Sequence, residues 1–87
     1  MISKKDKNII IRFAKKYKVN SIYLFGSSLN KEEYNDIDLA VDRIKPEIFF
    51  KFYGELMRML SKPADIVDLS KKSLFTQIIE KKWMKIV

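Results

Sequence analysis

The sequence predicts a small α/β domain of the α+β kind, with one mixed sheet and helices packed mainly on one face. Three observations predict it. Apolar residues change period along the chain, from helical spacing in residues 9–17 to near-continuous runs at 21–25 and 37–41, then back to helical spacing across 47–60. Gly26, Pro46 and Pro63 punctuate these runs. At 87 residues the chain reads as a single domain, 1–87, because a chain this short buries only roughly 60–65% of its unfolded surface and lacks the material for a second core.

Each element has its own justification. Ser3 is placed to cap a helix, with Asp6 in the capping-box position. Ile9, Ile10, Phe13, Ala14 and Tyr17 recur at helical spacing, and Lys4, Lys5, Lys7, Lys15 and Lys16 occupy much of the opposite side. Residues 18–20 end this helix. Residues 21–25 are β-branched and aromatic enough for a strand, which Gly26 breaks. Residues 27–31 open a short helix and 32–35 form a polar loop. Residues 37–41 make a second strand, buried on both faces because its apolar residues are nearly continuous.

Pro46 suits the first turn of a helix, where a missing N–H costs nothing. That helix runs over 47–60, with Ile48, Phe49, Phe52, Leu56, Met59 and Leu60 as its core stripe. Phe50, Tyr53 and Met57 make a second stripe, which either meets another chain or packs beneath a terminal helix; the sequence favours neither. Gly54 lowers the propensity of this helix but permits close backbone approach. Residues 64–69 alternate as a third strand, with Asp65 and Val67 on one face. Ser70 is placed to cap a last helix over 71–81, with Leu74, Phe75, Ile78 and Ile79 inward. The apolar residues 83–87 suit a terminal strand.

Composition narrows the chemistry. The chain has no Cys and no His, which excludes disulfides, thiol nucleophiles, Cys/His zinc sites and imidazole acid–base catalysis. Catalysis then falls to carboxylates, hydroxyls, Lys, Arg or an oxygen-held cation, which means Mg²⁺, Mn²⁺ or Ca²⁺. No apolar run approaches the ~18 residues of a membrane span. The charged N-terminus lacks the apolar core of a secretory signal, so the cytoplasm is the expected location. The net charge of +7 is uneven: residues 1–20 carry seven Lys/Arg against Asp6, and residues 21–68 carry six against nine acids. Residues 69–87 carry five against Glu80. Basic ends attract polyanions, but a Lys-rich surface is more often simply solvated.

The acidic middle holds the candidate site. Asp36 and Asp38 stand at i and i+2 where the second strand opens, a spacing that puts two carboxylates on one strand face. Asp65 sits on a later strand able to lie beside it. Such a trio suits two divalent cations roughly 3.5–4 Å apart, the clamp of phosphoryl transfer. Asp36 and Asp38 would bridge both ions, and Asp65 would hold the one nearest the nucleophile and help take its proton. Gly26-Ser27 ends the neighbouring strand, where a Gly backbone can approach a phosphate and Ser27 adds a hydroxyl donor. Lys31 offers charge to a triphosphate. No P-loop, EF-hand or Gly-x-Ser-x-Gly pattern competes. Asp-x-Asp alone is more often a pair of solvated strand-end residues; the combination with Gly-Ser and a third Asp is the stronger signal.

That combination resembles the nucleotidyltransferases of the DNA polymerase beta superfamily. Their pattern is a strand, Gly-Ser, about ten residues, Asp-x-Asp, and a third Asp on a later strand. Leu24-Phe25-Gly26-Ser27, Asp36-Ile37-Asp38-Leu39 and the segment from Pro63 to Asp68 match it. In length the chain looks most like the minimal nucleotidyltransferases paired with helical HEPN proteins. The resemblance implies a polymerase-beta-like fold, Mg²⁺ (two ions, with Mn²⁺ as a substitute), and ATP or another NTP as donor. It also implies transfer of AMP to a hydroxyl of a HEPN partner, with this chain as the antitoxin of the pair. Asp36, Asp38 and Asp65 would be catalytic and metal-binding, and Gly26, Ser27 and Lys31 would bind the nucleotide phosphates. The family usually shows Gly-Ser-Arg-Ala-Arg-Gly; here Gly26 to Lys31 contains neither Arg and no second Gly.

Two further readings stand beside this one. A catalytically weak member would neutralise its partner by binding alone, as the altered loop and the second apolar stripe suggest. A nucleic-acid binder using the basic ends ranks last, because the aromatic residues fall at core spacing rather than as a stacking platform.

Overall fold

The computed structural model describes residues 2–30, 32–70 and 82–87. Its elements run α1 (Lys4–Lys16), β1 (Ser21–Phe25), α2 (Ser27–Asn30), β2 (Ile37–Asp42), α3 (Pro46–Met59), β3 (Ala64–Asp68) and β4 (Met84–Lys85). The strands form one mixed sheet in the order β3-β2-β1-β4. β1 is antiparallel to both β2 and β4, and β2 is parallel to β3 through the α3 crossover. The predicted helix over 71–81 lies outside the described residues. Among those described, no helix is long and apolar enough to cross a membrane.

Alternation in the strands sorts the sheet into two faces. Ile22, Leu24, Ile37, Leu39 and Val41 join Ile10 and Phe13 of α1 and Phe52 and Leu56 of α3 in the main core. The other face carries Phe25 and Ala40, with Tyr23, Val67 and Trp83 packed against them. Trp83 stacks on Tyr23 with ring centroids 3.8 Å apart. The helices α1 and α3 therefore cover one face, as the sequence predicts.

Local chemistry explains the helix ends. Ser3 Oγ accepts from the Asp6 N–H at 3.1 Å, so the N-cap forms. The Asp6 carboxylate does not reach back to close a capping box. It accepts instead from the N–H (3.1 Å) and the hydroxyl of Ser61. Only 1% of Asp6 is exposed, so this pair pins the start of α1 to the end of α3. At the other end of α1, Lys18 adopts φ 54°. Lys18 N–H then bonds Lys15 O and Val19 N–H bonds Ala14 O, closing the helix in a Schellman arrangement without glycine.

Boundaries shift by one or two residues from expectation. β3 stops at Asp68, β4 is only two residues long, and α3 begins at Pro46 and ends at Met59. Met59 is not a core residue; it is 46% exposed, whereas Phe52 and Leu56 are fully buried. In the second stripe Phe50 is 78% and Met57 40% exposed, so the described residues leave these two largely uncovered. Gly54 meets no close neighbour; a Cβ there would find nothing within 4 Å, so no tight approach requires it.

Candidate nucleotide site

The site forms where β1 ends and where β2 and β3 begin. The antiparallel register sets Phe25 opposite Asp38. The parallel register sets Asp38 opposite Asp65. By strand alternation both carboxylates belong to the face opposite α1 and α3. Asp36 lies in the segment immediately before β2, which starts at Ile37. Asp36 still acts on Asp38 through space. Burial raises the Asp38 pKa above the ordinary carboxylate range, and the charges of Asp65 and then Asp36 raise it further.

Gly26 supplies the close approach. It takes φ +74°, and a Cβ built on it would lie 2.2 Å from Asp38 Oδ2. Only glycine lets the backbone turn here with the carboxylate alongside. Gly26 O accepts from Leu29 N–H at 3.1 Å, starting the single turn of α2. Ser27, half-buried, follows at the mouth of this turn. Lys31 lies outside the described residues.

Three supporting residues escaped the sequence reading. Ser28 is fully buried; its hydroxyl donates to Phe25 O at 3.3 Å and accepts from Asp38 N–H at 3.4 Å. It thus ties the end of β1 to the start of β2. Lys62 donates to Tyr34 O, and its ammonium sits 4.1 Å from the centroid of the Tyr34 ring. Pro63 O accepts from Ile37 N–H at 2.8 Å. Lys62 and Pro63 together hold both ends of the segment that carries Asp36. A second Ser after Gly-Ser, and a Lys-Pro just before the third-strand Asp, are the signals available in the sequence.

The donor set fits a hard divalent cation. All candidate ligands are carboxylate oxygens, and the mutual repulsion at Asp38 is what a bound cation would relieve. Among the described residues no three carboxylates are gathered tightly enough to form a finished metal cage. Asp38 and Asp65 provide the facing pair, and Asp36 approaches from a loop.

A glycine turn at one strand end, set against carboxylates facing each other across two parallel strands, suits cation-assisted phosphoryl transfer. The family model described as polymerase beta, nucleotidyltransferase, matches residues 7–85, and the chain belongs to that family of nucleotidyltransferases. Solved structures agree. A chain from a toxin–antitoxin crystal structure with AMP-PNP is 28% identical over 93% of this chain and 72% of its own, with a TM-score of 0.76. One from a complex of tri-AMPylated Shewanella oneidensis HEPN toxin with MNT antitoxin is 27% identical over 94% of this chain and 69% of its own, at TM-score 0.73. One from a mutant of the toxin–antitoxin pair MntA-HpeT is 25% identical over 93% and 72%, at TM-score 0.76. No curated protein sequence matches the chain.

Proposed function

We propose that this chain transfers a nucleoside monophosphate, AMP from ATP, to a hydroxyl of a partner protein, and that it serves as the antitoxin of a HEPN toxin. The facing of Asp38 and Asp65 beside the Gly26 turn carries this reading. The similarity to MNT antitoxins, one in complex with an AMPylated HEPN toxin, supports the acceptor.

Asp36, Asp38 and Asp65 would hold Mg²⁺, two ions in full occupancy, with Mn²⁺ as a substitute. Bound there, the cation offsets the triphosphate charge and favours attack at the α-phosphorus. The chain's own residues do the rest. The Gly26 backbone and the Ser27 hydroxyl bind phosphate oxygens, and Lys31 adds positive charge. Asp65 accepts the acceptor's hydroxyl proton as that oxygen bonds the α-phosphorus and the bond to pyrophosphate breaks. Ser28 and Lys62 keep Asp38 and Asp36 in place.

A second reading is favoured by two observations. Among the described residues Phe50 and Met57 present exposed apolar surface on α3, and the loop after Ser27 lacks the family's two Arg residues. A chain of this kind could neutralise its partner by covering it, without chemistry.

One experiment separates the two. The purified protein is incubated with α-labelled ATP and Mg²⁺, with and without a HEPN protein as the acceptor, as wild type and as Asp36→Asn/Asp38→Asn. Label on the partner that disappears in the variant establishes transfer. Unlabelled partner, bound tightly by both forms, establishes neutralisation by contact alone.

A further inference from the structure

Away from the carboxylates, α1 and α3 leave a trench between them. One part, about 520 Å³, is bounded by Lys4, Lys5 and Arg12 of α1 and by Met59 of α3. The adjoining part, about 270 Å³, is bounded by Arg12, Lys16, Arg58 and Met59. Arg12 and Met59 line both, so the trench is continuous. Its sides thus carry five cations.

Among the described residues, the anions that would balance them lie outside the trench or are already engaged. Asp6, the one acid of α1, is turned inward onto Ser61 and buried. Glu55, the one acid lining the trench among the described residues, is bridged to Lys16 at 2.8 Å, which leaves Lys4, Lys5, Arg12 and Arg58 as the cations without a carboxylate partner there. Lys5, Arg12 and Lys16 follow one another along α1 at i, i+7 and i+11, a cationic line about 16 Å long at 1.5 Å rise per residue. The floor between the charges is apolar: Ile9, Phe13 and the exposed thioether of Met59.

We infer that this α1–α3 trench docks an acidic amphipathic helix of a partner protein. Its apolar stripe would cover Ile9 and Met59, and its carboxylates would pair with Lys5, Arg12 and Arg58. Two features favour a helix over nucleic acid. A sugar-phosphate backbone has no apolar stripe to lay on such a floor. The one aromatic ring lining the trench, Phe13, is 6% exposed and offers no face for base stacking. A groove with an apolar floor and charged rims is the helix-in-groove mode, where apolar anchors give affinity and charge gives choice of partner. This inference is independent of nucleotidyl transfer.

The test is binding without nucleotide or divalent cation, read by fluorescence anisotropy. The probes are a labelled helical peptide of about 16 residues with Leu at i, i+3, i+4 and i+7 and Glu on both flanks, the same peptide with Lys in place of Glu, and an oligouridylate. The full chain is tested as wild type, as Lys5→Glu/Arg12→Glu and as Met59→Asp, each checked for an unchanged circular dichroism spectrum. The expected result is saturable binding of the Glu peptide, weakened at least ~10-fold in both variants and by added salt, with no binding of the Lys peptide. The inference is overturned if the Glu peptide fails to bind, binds the variants equally, or binds no better than the Lys peptide. It is also overturned if only the oligouridylate binds, or if sedimentation shows the trench occupied by a second copy of the chain.

Discussion

Gly26 and Asp38 are packed so closely across the β1–β2 pair that a single methyl on Gly26 would lie 2.2 Å from the Asp38 carboxylate. The positive φ of 74° compounds this, since an L side chain is strained there by about 1–2 kcal/mol. Gly26→Ala is therefore expected to lower folding stability by at least ~1 kcal/mol and to displace the Asp38 side chain. Urea unfolding measures the first effect. Loss of nucleotide binding in the still-folded variant measures the second.

Asp38 destabilises the cation-free fold when it is charged. Its pKa is raised by burial and by Asp65 and Asp36, so the folded state holds the proton to higher pH than the unfolded state does. The favourable contribution is full below the ordinary Asp range. It is lost as pH rises through the raised value. Asp38→Asn should therefore melt higher than wild type at neutral pH without divalent cation, and the difference should shrink as pH falls below the ordinary Asp range. Melting curves across that window check it.

Lys62 holds the Asp36 segment through Tyr34, by a bond to its carbonyl and by contact with its ring. Lys62→Met frees that segment. The expected outcome is a several-fold higher Mg²⁺ concentration for half-maximal ATP binding, with a melting temperature shifted by only a few degrees. Lys62→Arg, which keeps a donor and a cation over the ring, should recover most of the loss.

The Asp6–Ser61 pair joins the start of α1 to the end of α3. Asp6→Ala removes two bonds from Ser61, which is itself exposed, to a buried carboxylate, a cost of about 1–3 kcal/mol. Ser61→Ala should cost less, and the double variant should cost less than the sum, because the residues share bonds. A double-mutant cycle in urea checks this coupling.

Much of this was legible in the residues. The period of the apolar pattern placed α1, β1, β2, α3 and β3 within a residue or two, because each buries one face or a whole strand. Asp38 and Asp65 were visible because strand alternation and a parallel crossover bring them level. Asp36 stands one residue before β2, whose pairing begins where Ile37 N–H reaches Pro63 O, a contact 26 residues away in the chain. Ser28, Lys62 and the Asp6–Ser61 bond are harder to read for the same reason: each reaches a partner ten or more residues away, so the residue is visible in the sequence but its partner is not. The cap at Ser3 was read correctly and the partner of Asp6 was not, because Ser61 outcompetes the local N–H.

If Gly26, Asp36, Asp38 and Asp65 make one cation-dependent nucleotide site, partner-free thermal unfolding with AMP-PNP will register it. The wild-type protein should melt higher with Mg²⁺ and AMP-PNP together than with either alone, by the amount that ligand binding to the native state dictates. Asp38→Asn/Asp65→Asn should abolish that increment while remaining folded. An increment that persists in the double variant, or its absence from the wild type at millimolar ligand, would contradict the account.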